Sequence, residues 1–431
     1  MNAMVSLDRV RFLVNQLRER LWVRPLTICL ISIGAVFVAE LVDGTNLGQF
    51  VPGITLESIE ALLSIMAASM LVIATFSVAS MVSAYAAASR TATPRAFSLV
   101  IADDASQNAL SAFVGAFIFS VVALTAVKNG YFGTAGLFVL FVLTVIVFSM
   151  VILTFVRWVD GIARLGRLES TMDKVEKATG QALKRRREAP TLHAAVARTQ
   201  PDGQPVFTAT VGYVQHVDIQ ALQTWAEKAK VRVVVAALPG TFATPGRPLA
   251  YVSTCGGDTD APDCKGVVDS FQIGTERRFD DDPRFGLVVL SEIAGRALSP
   301  AVNDPGTAID VVGRLVRLFY LWCEPGTARD EKRPMYERVA VPEISVRDMF
   351  DDAFTAIARD GAGKVEVTVR LQKALCVLAS IGDEKMREAA NYYKGLSLER
   401  SRVALDVPDD LAAVREAASF NAEDPHASLL E

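Results

Sequence analysis

Four stretches near the start of the chain are apolar for long enough to span a bilayer. Pro25 to Val42 is apolar apart from Glu40, and Ala61 to Ser89, Ala105 to Val127 and Asn129 to Val156 contain no charged side chain. A hydrocarbon core of ~30 Å takes about 20 helical residues, so each can span as a helix. The spans expected are 25–42, 61–89, 107–127 and 135–156, within a four-helix transmembrane domain over 1–160. The first is too long for a signal-peptide core and lacks an obvious small-residue cleavage site.

Beyond the fourth stretch the period stays helical but the polarity changes. Trp158, Ile162, Leu165, Leu168, Met172 and Val175 recur at threes and fours among charged residues, which predicts an amphipathic helical stalk over 157–190. Lys184, Arg185, Arg186 and Arg187 close it and read as a solvated helix end, or as a contact with anionic lipid if the chain folds back. From Pro205 to Val252 the pattern alternates, predicting a small β-rich module over 203–255: a strand from Val206 to Val217 interrupted at Gly212, a short helix capped by Asp218, and a strand from Val231 to Ala237. Gly240, Phe242, Pro245, Gly246 and Leu249 suggest a hairpin leading into Ala250 to Val252. The region 265–420 reads as mainly helical. Its expected helices are Pro283–Leu298, one starting at Asn303-Asp304-Pro305, Val346–Arg359, Val365–Ile381, Lys385–Tyr393 and one after Asp406, with a short strand over Met335–Ile344 and a flexible tail over 421–431. The fold class expected is therefore membrane α-helical, with four transmembrane helices, plus a cytoplasmic α+β region.

Charge sets the direction. Arg9, Arg11, Arg18, Arg20 and Arg24 precede the first span, Arg90 and Arg95 lie between the second and third, and Arg157, Arg164 and Arg167 follow the fourth. The loop from Asp43 to Glu60 has no basic residue. Basic flanks stay cytoplasmic, so both termini and the soluble region are expected there. The net charge of −4 offers no global basic field, so nucleic acid is not an expected partner. The expected partners are the lipid bilayer, further copies of the chain, and an unidentified ion or small molecule.

The second span departs from a plain anchor. Its uncharged stretch is about 43 Å long at ~1.5 Å per residue, and it is rich in Ala and Ser. Small residues let helices approach closely in lipid. Ser69, Ser77, Ser80 and Ser83 are candidates for a pore lining or for helix packing. No charge sits at mid-depth in any span, which argues against an ion-coupled carrier but not against a passive channel.

Candidate chemistry is sparse. No nucleophile elbow, phosphate-cradling loop, dinucleotide fingerprint or zinc-protease motif occurs, so an enzyme is not expected. The turn around Gly240 is similar to those of barrel modules that carry lipoyl groups, but no lysine occupies its tip, and no cofactor is predicted. Of five cysteines, only Cys255 and Cys264 share a loop, without further soft ligands near them. His216 reads as a structural strand histidine. Glu276, Arg277, Arg278, Asp280, Asp281, Asp282 and Arg284 cluster before the helix that leads to Asn303 and Asp304. Asp280, Asp282 and Asp304 are the candidates for a hard divalent cation. The alternatives are a structural Arg277–Asp304 pair, or a solvated acidic turn beside a capped helix.

The stretch from Arg296 to Ala308, Arg-Ala-Leu-Ser-Pro-Ala-Val-Asn-Asp-Pro-Gly-Thr-Ala, is similar to the signature of a bacterial family of predicted membrane proteins, domain of unknown function 2254. Thr93-Pro94-Arg95, then Asp104, Gln107, Phe113 and Phe117, resemble the segments around its third span. Gly212 to Gln215 with Val217-Asp218, and Gly274 to Arg277 with Asp282, Phe285 and Gly286, match in order. Arg278, Asp281 and Gly306 depart from the pattern. The resemblance implies a cytoplasmic domain behind four spans in a bacterial inner (cell) membrane, and it names no activity. It marks Arg277, Asp282, Ser299, Asn303, Asp304 and Thr307 as a signature-loop polar network, and Arg95, Asp104 and Gln107 as juxtamembrane candidates. Two functions follow as expectations: a homo-oligomeric channel or transport-like pore with a cytoplasmic regulatory domain, or a membrane-anchored sensor or scaffold without a conducting pathway.

Overall fold

The computed structural model describes residues 23–42, 52–91, 93–96, 98–99, 104–164, 167–197, 203–254, 263–324 and 334–420. Their packing divides between Thr171 and Met172 into two units.

The first unit contains helices α1 (Val23–Val42), α2 (Leu56–Thr91), α3 (Asp104–Lys128) and α4 (Thr134–Arg164). All four are long and apolar enough to cross a membrane. α3 is the central helix: half of its span is buried, against 11% for α1. Ala109, Ala112, Phe113, Ala116, Phe119 and Ala123 form its buried stripe at steps of three and four, and the alanines let neighbours approach. Phe113, Phe76 and Phe155 surround Trp158 at centroid distances of 5.9 to 6.1 Å. Outward positions carry bulky apolar groups such as Leu30, Ile65, Val72, Ile146 and Leu153. Hydroxyls on these helices bond back to the carbonyl four residues earlier, as Ser111 does to Gln107 O at 2.6 Å and Ser120 to Ala116 O at 2.7 Å. That satisfies a hydroxyl in lipid without water.

The second unit runs α5 (Leu168–Glu188, from Met172), β1 (Ala194–Val196), β2 (Gln204–Val206), β3 (Gly212–Val217), α6 (Ile219–Ala229), β4 (Val231–Val235), β5 (Phe242–Ala243), β6 (Ala250–Thr254), α7 (Lys265–Val268), β7 (Phe271–Gly274), α8 (Pro283–Ala297), α9 (Pro305–Cys323), β8 (Tyr336–Val341), α10 (Val346–Asp360), α11 (Val365–Ile381), α12 (Glu384–Ala404) and α13 (Pro408–Ala418). One sheet has the order β1-β8-β4-β6-β2, parallel along β1-β8-β4 and antiparallel along β4-β6-β2. A second, antiparallel, has the order β5-β3-β7. Val206, Val214, Leu222, Val233, Val252, Phe271 and Val339 share one core beneath both sheets.

Three readings change here. The strand expected from Val206 to Val217 is two strands in different sheets, because the chain turns where Thr210 N donates to Thr208 Oγ1 at 3.0 Å. The β-rich module is not confined to 203–255: β1 and β7 come from outside it, and the strand expected over Met335–Ile344 forms as β8 and pairs with β4 across about a hundred residues. The expected stalk does not run as one helix, since α4 ends at Arg164 and α5 starts at Leu168. From Met172 on, α5 is a packed core helix with Val175 and Leu183 fully buried. Gly286 of α8 lies against Thr179, where any Cβ would collide with that side chain.

The helix starts follow the capping chemistry read from the sequence. Asp218, Asp282, Asp304, Ser345 and Asp383 each accept a bond from the backbone amide three residues on. Phe319, Phe350, Phe354 and Tyr393 pack as an aromatic core among α9, α10 and α12.

Candidate functional site

Four stretches of the second unit converge on a cavity of about 420 Å³. The end of α5 contributes Arg186, and the chain from β4 through β5 contributes Ala236, Leu238 to Phe242 and Arg247. The approach to α8 contributes Arg277 and Asp281 to Arg284, and the link from β8 to α10 contributes Pro342 to Ser345 and Asp348. Gly240 makes the wall possible. Its φ is +90°, its N–H donates to Val214 O at 2.8 Å, and a Cβ there would run into the Asp282 carboxylate.

Each carboxylate of the cavity has a basic partner. Asp282 accepts from Arg277 Nε at 2.7 Å and caps α8 by accepting from Phe285 N at 3.2 Å. Burial pushes its carboxyl above the ordinary range, against the pull of Arg277. Arg277 also lies over the Phe285 ring at 5.1 Å. His216 Nδ1 lies 2.7 Å from Asp281 Oδ2. Arg284 donates to Asp348 Oδ2 at 2.8 Å and to Asp352 Oδ2 at 2.6 Å. Glu343 is 3.3 Å from Lys385 Nζ.

Two cations are not matched in this way. Arg186 is 4% exposed, its Nε is buried without an acceptor, and Nη2 makes one long bond, 3.3 Å, to Pro342 O. Among the described residues no carboxylate pairs with it. Burial lowers its pKa to about 10, with Asp281, Asp282 and Glu343 opposing the shift from a distance, so it is cationic at neutral pH. Arg247 is exposed and forms no ion pair among the described residues.

The residues singled out by sequence scatter over several places. Arg277 pairs with Asp282 and not with Asp304. Asp304 caps α9 and holds Thr307, accepting from its N at 3.1 Å and its Oγ1 at 2.6 Å. These bonds hold its carboxyl below the ordinary range. Asn303 takes the left-handed conformation at φ 51° and accepts from Lys364 Nζ at 2.5 Å. Ser299 bonds Arg296 O at 2.7 Å. The signature loop is thus a helix-to-helix turn locked by caps, and the cavity lies at the other acidic stretch. Asp280 lies 4.0 Å from Arg278, and the described residues contain no group of three or more His, Cys, Asp or Glu set to hold a metal.

In the first unit, Ser77 is fully buried, Ser69 and Ser80 are half-buried and Ser83 is exposed. Ser69 is satisfied by Ile65 O at 2.7 Å. Gln107 is buried, Arg95 is exposed in a short 3-10 turn, and Asp104 begins α3 with its side chain outside the described residues. Cys255 and the charged residues before Val23 also lie outside them.

The sequence reading missed Arg186, Arg247 and the Arg284 pairs. It also read Lys184 to Arg187 as solvated, whereas Arg185 bonds Asp280 O, Arg186 is buried, and Arg187 donates to Leu321 O at 2.5 Å and pairs with Glu324 at 3.1 Å.

Residues 18–376 match the family described as predicted membrane protein (DUF2254). Uncharacterized proteins of Mycobacterium tuberculosis, from strains CDC 1551 and H37Rv, and one of Mycobacterium bovis are each 35% identical to the chain over 117 residues, 26% of this chain and 22% of the relative. The chain thus aligns with about a fifth of the length of the curated relatives it matches. No solved structure matches it. The chain belongs to the DUF2254 family of predicted membrane proteins.

Proposed function

We propose that this member of the family is a membrane-anchored receptor. The four apolar helices hold it in a bacterial cell membrane, and its soluble region, on the cytoplasmic side, binds a small molecule. The observation that carries this reading is the cavity of about 420 Å³, walled by four separate stretches of chain. Its volume falls in the range of small-molecule sites, ~300–1,000 Å³.

The competing reading is a homo-oligomeric pore lined by α2. At about 100° per residue, Ser69, Ser80 and Ser83 do share one face. The same face carries Leu62, Ile65, Val72 and Phe76, which are 40 to 68% exposed. Such a face suits lipid or a neighbouring helix better than a wet pore wall, and this favours the receptor.

Native mass spectrometry of the intact chain, released from mild detergent after incubation with a small-molecule extract, tests the proposal. An adduct should appear on the wild type and be absent from Thr241→Trp, which fills the cavity. A wild type that takes up nothing from any fraction, while conducting ions in liposomes, returns the pore reading. Protease added outside spheroplasts should leave the soluble region intact if it faces the cytoplasm.

A further inference from the structure

We propose that the cavity takes an oxyanion, a phosphoryl or carboxylate group of its small-molecule ligand, on the guanidinium of Arg186 at its buried end and of Arg247 at its open end. This rests on the receptor reading and names its ligand class.

Acidic and basic side chains meet at the cavity wall. Four carboxylates line it: Asp281, Asp282, Glu343 and Asp348. Asp282, Glu343 and Asp348 are engaged by the cations Arg277, Lys385 and Arg284, and Asp281 lies in hydrogen-bond contact with His216. Arg186 and Arg247 are what remains. A surface arginine such as Arg247 needs no partner, because water serves it. Arg186 is different, with 4% exposure and Nε buried without an acceptor. Five N–H donors in a rigid fork match an oxyanion's geometry, and among the described residues a single 3.3 Å bond to a carbonyl meets them. Leaving a cation buried and unpaired is costly, and a fold that needed only to fill this space would do so with an apolar side chain. The cost is offset once an anion enters the adjoining cavity. The flexible Arg247 can then close on the same ligand from the open side.

The neighbouring carboxylates sharpen the selectivity. Asp281 and Glu343 still act on Arg186 from a distance. They moderate the field, and the planar fork itself discriminates against simple halides, which cannot accept two parallel N–H···O bonds.

The test is calorimetric titration of the intact chain in mild detergent with sodium pyrophosphate, orthophosphate and citrate, against sodium chloride at matched ionic strength. Wild type should bind at least one oxyanion and show no heat with chloride. Arg186→Gln and Arg247→Gln should each weaken that binding by tenfold or more, the scale of one charge-assisted hydrogen bond. Arg247 is exposed, so Arg247→Gln decides the matter if Arg186→Gln fails to fold. Pyrophosphate or orthophosphate alone assigns a phosphoryl ligand and citrate alone a carboxylate, and either supports the class. Binding that survives both substitutions, or no binding by any oxyanion, overturns the inference. If no oxyanion binds but an adduct that Thr241→Trp abolishes persists, the receptor reading stands and only the anionic class falls.

Discussion

Removing the Asp282 carboxylate should open the start of α8 far more than it disturbs the rest of the chain. Asp282→Ala deletes two interactions. The cap on Phe285 N, at 3.2 Å, is worth about 1 kcal/mol. The charge-assisted bond from Arg277 Nε, at 2.7 Å, is worth roughly 1.5–3 kcal/mol. Against these stands the relief of a burial that already raises the carboxyl's pKa. Together the two interactions set an upper bound of about 2.5–4 kcal/mol, or roughly 60- to 700-fold in a local opening equilibrium at ~1.4 kcal/mol per tenfold. Hydrogen exchange of the intact chain, read by mass spectrometry over peptides covering 283–297, measures that opening directly.

Two further variants separate the cap from the charge. Asp282→Asn keeps the capping oxygen and should lose about 1 kcal/mol less than the alanine. Arg277→Met with Asp282→Asn removes both charges, keeps the cap, and should return protection to within about 1 kcal/mol of wild type, because an apolar replacement of a buried pair is close to neutral. The reasoning is refuted if Asp282→Ala changes exchange less than threefold, or if the double variant loses as much as the sum of the singles. The pH dependence has a definite sign. A carboxyl whose folded pKa is raised stabilises the fold increasingly as pH falls from the raised value toward its ordinary 3.8, so wild-type protection of α8 should gain from this group on mild acidification.

Asp304 should behave in the opposite sense. Its folded pKa is lowered, so its contribution is complete above 3.8 and is lost as pH falls through the folded value; Asp304→Ala should cost about 1 kcal/mol and Asp304→Asn much less, by exchange over α9. Arg314, 5% exposed, ties α5 to α9 through Asp173 at 2.6 Å and Glu176 at 2.8 Å. Arg314→Leu should release α5 amides by about 1–2 kcal/mol, less than a fully buried pair because Asp173 stays solvated. Ser77→Ala should be neutral or stabilising by up to about 1 kcal/mol in detergent melts, since its Oγ is buried without a partner; a clear loss of stability would show a polar role for that hydroxyl.

Local chemistry was legible and long-range pairing was not. The caps at Asp218 and Asp304 could be named in advance because an N-cap bond spans three residues and leaves a residue-type signature. The helix over Val365–Ile381 was placed to the residue. The four spans were visible because lipid admits one pattern only. The sheet was different. Nothing in Val339 or Ala340 announces that they pair with Val233 and Val234. A β strand of that length carries its alternation but not its partner's address, and parallel pairing adds no turn to read.

The cavity's central cation was concealed by an averaging habit that the helix itself could have corrected. Four consecutive basic residues, Lys184 to Arg187, read together as a solvated end. At about 100° per residue they fan across most of the helix circumference, so they cannot all share one environment. The buried stripe of α5 runs Met172, Val175, Thr179 and Leu183. Its next position at the same spacing is Arg186, one step of three beyond Leu183. The position that meets water is Lys184, which is exposed. A stripe that is buried throughout and ends on an arginine leaves a charge to be received. On the proposal above, an oxyanion in the cavity would receive it.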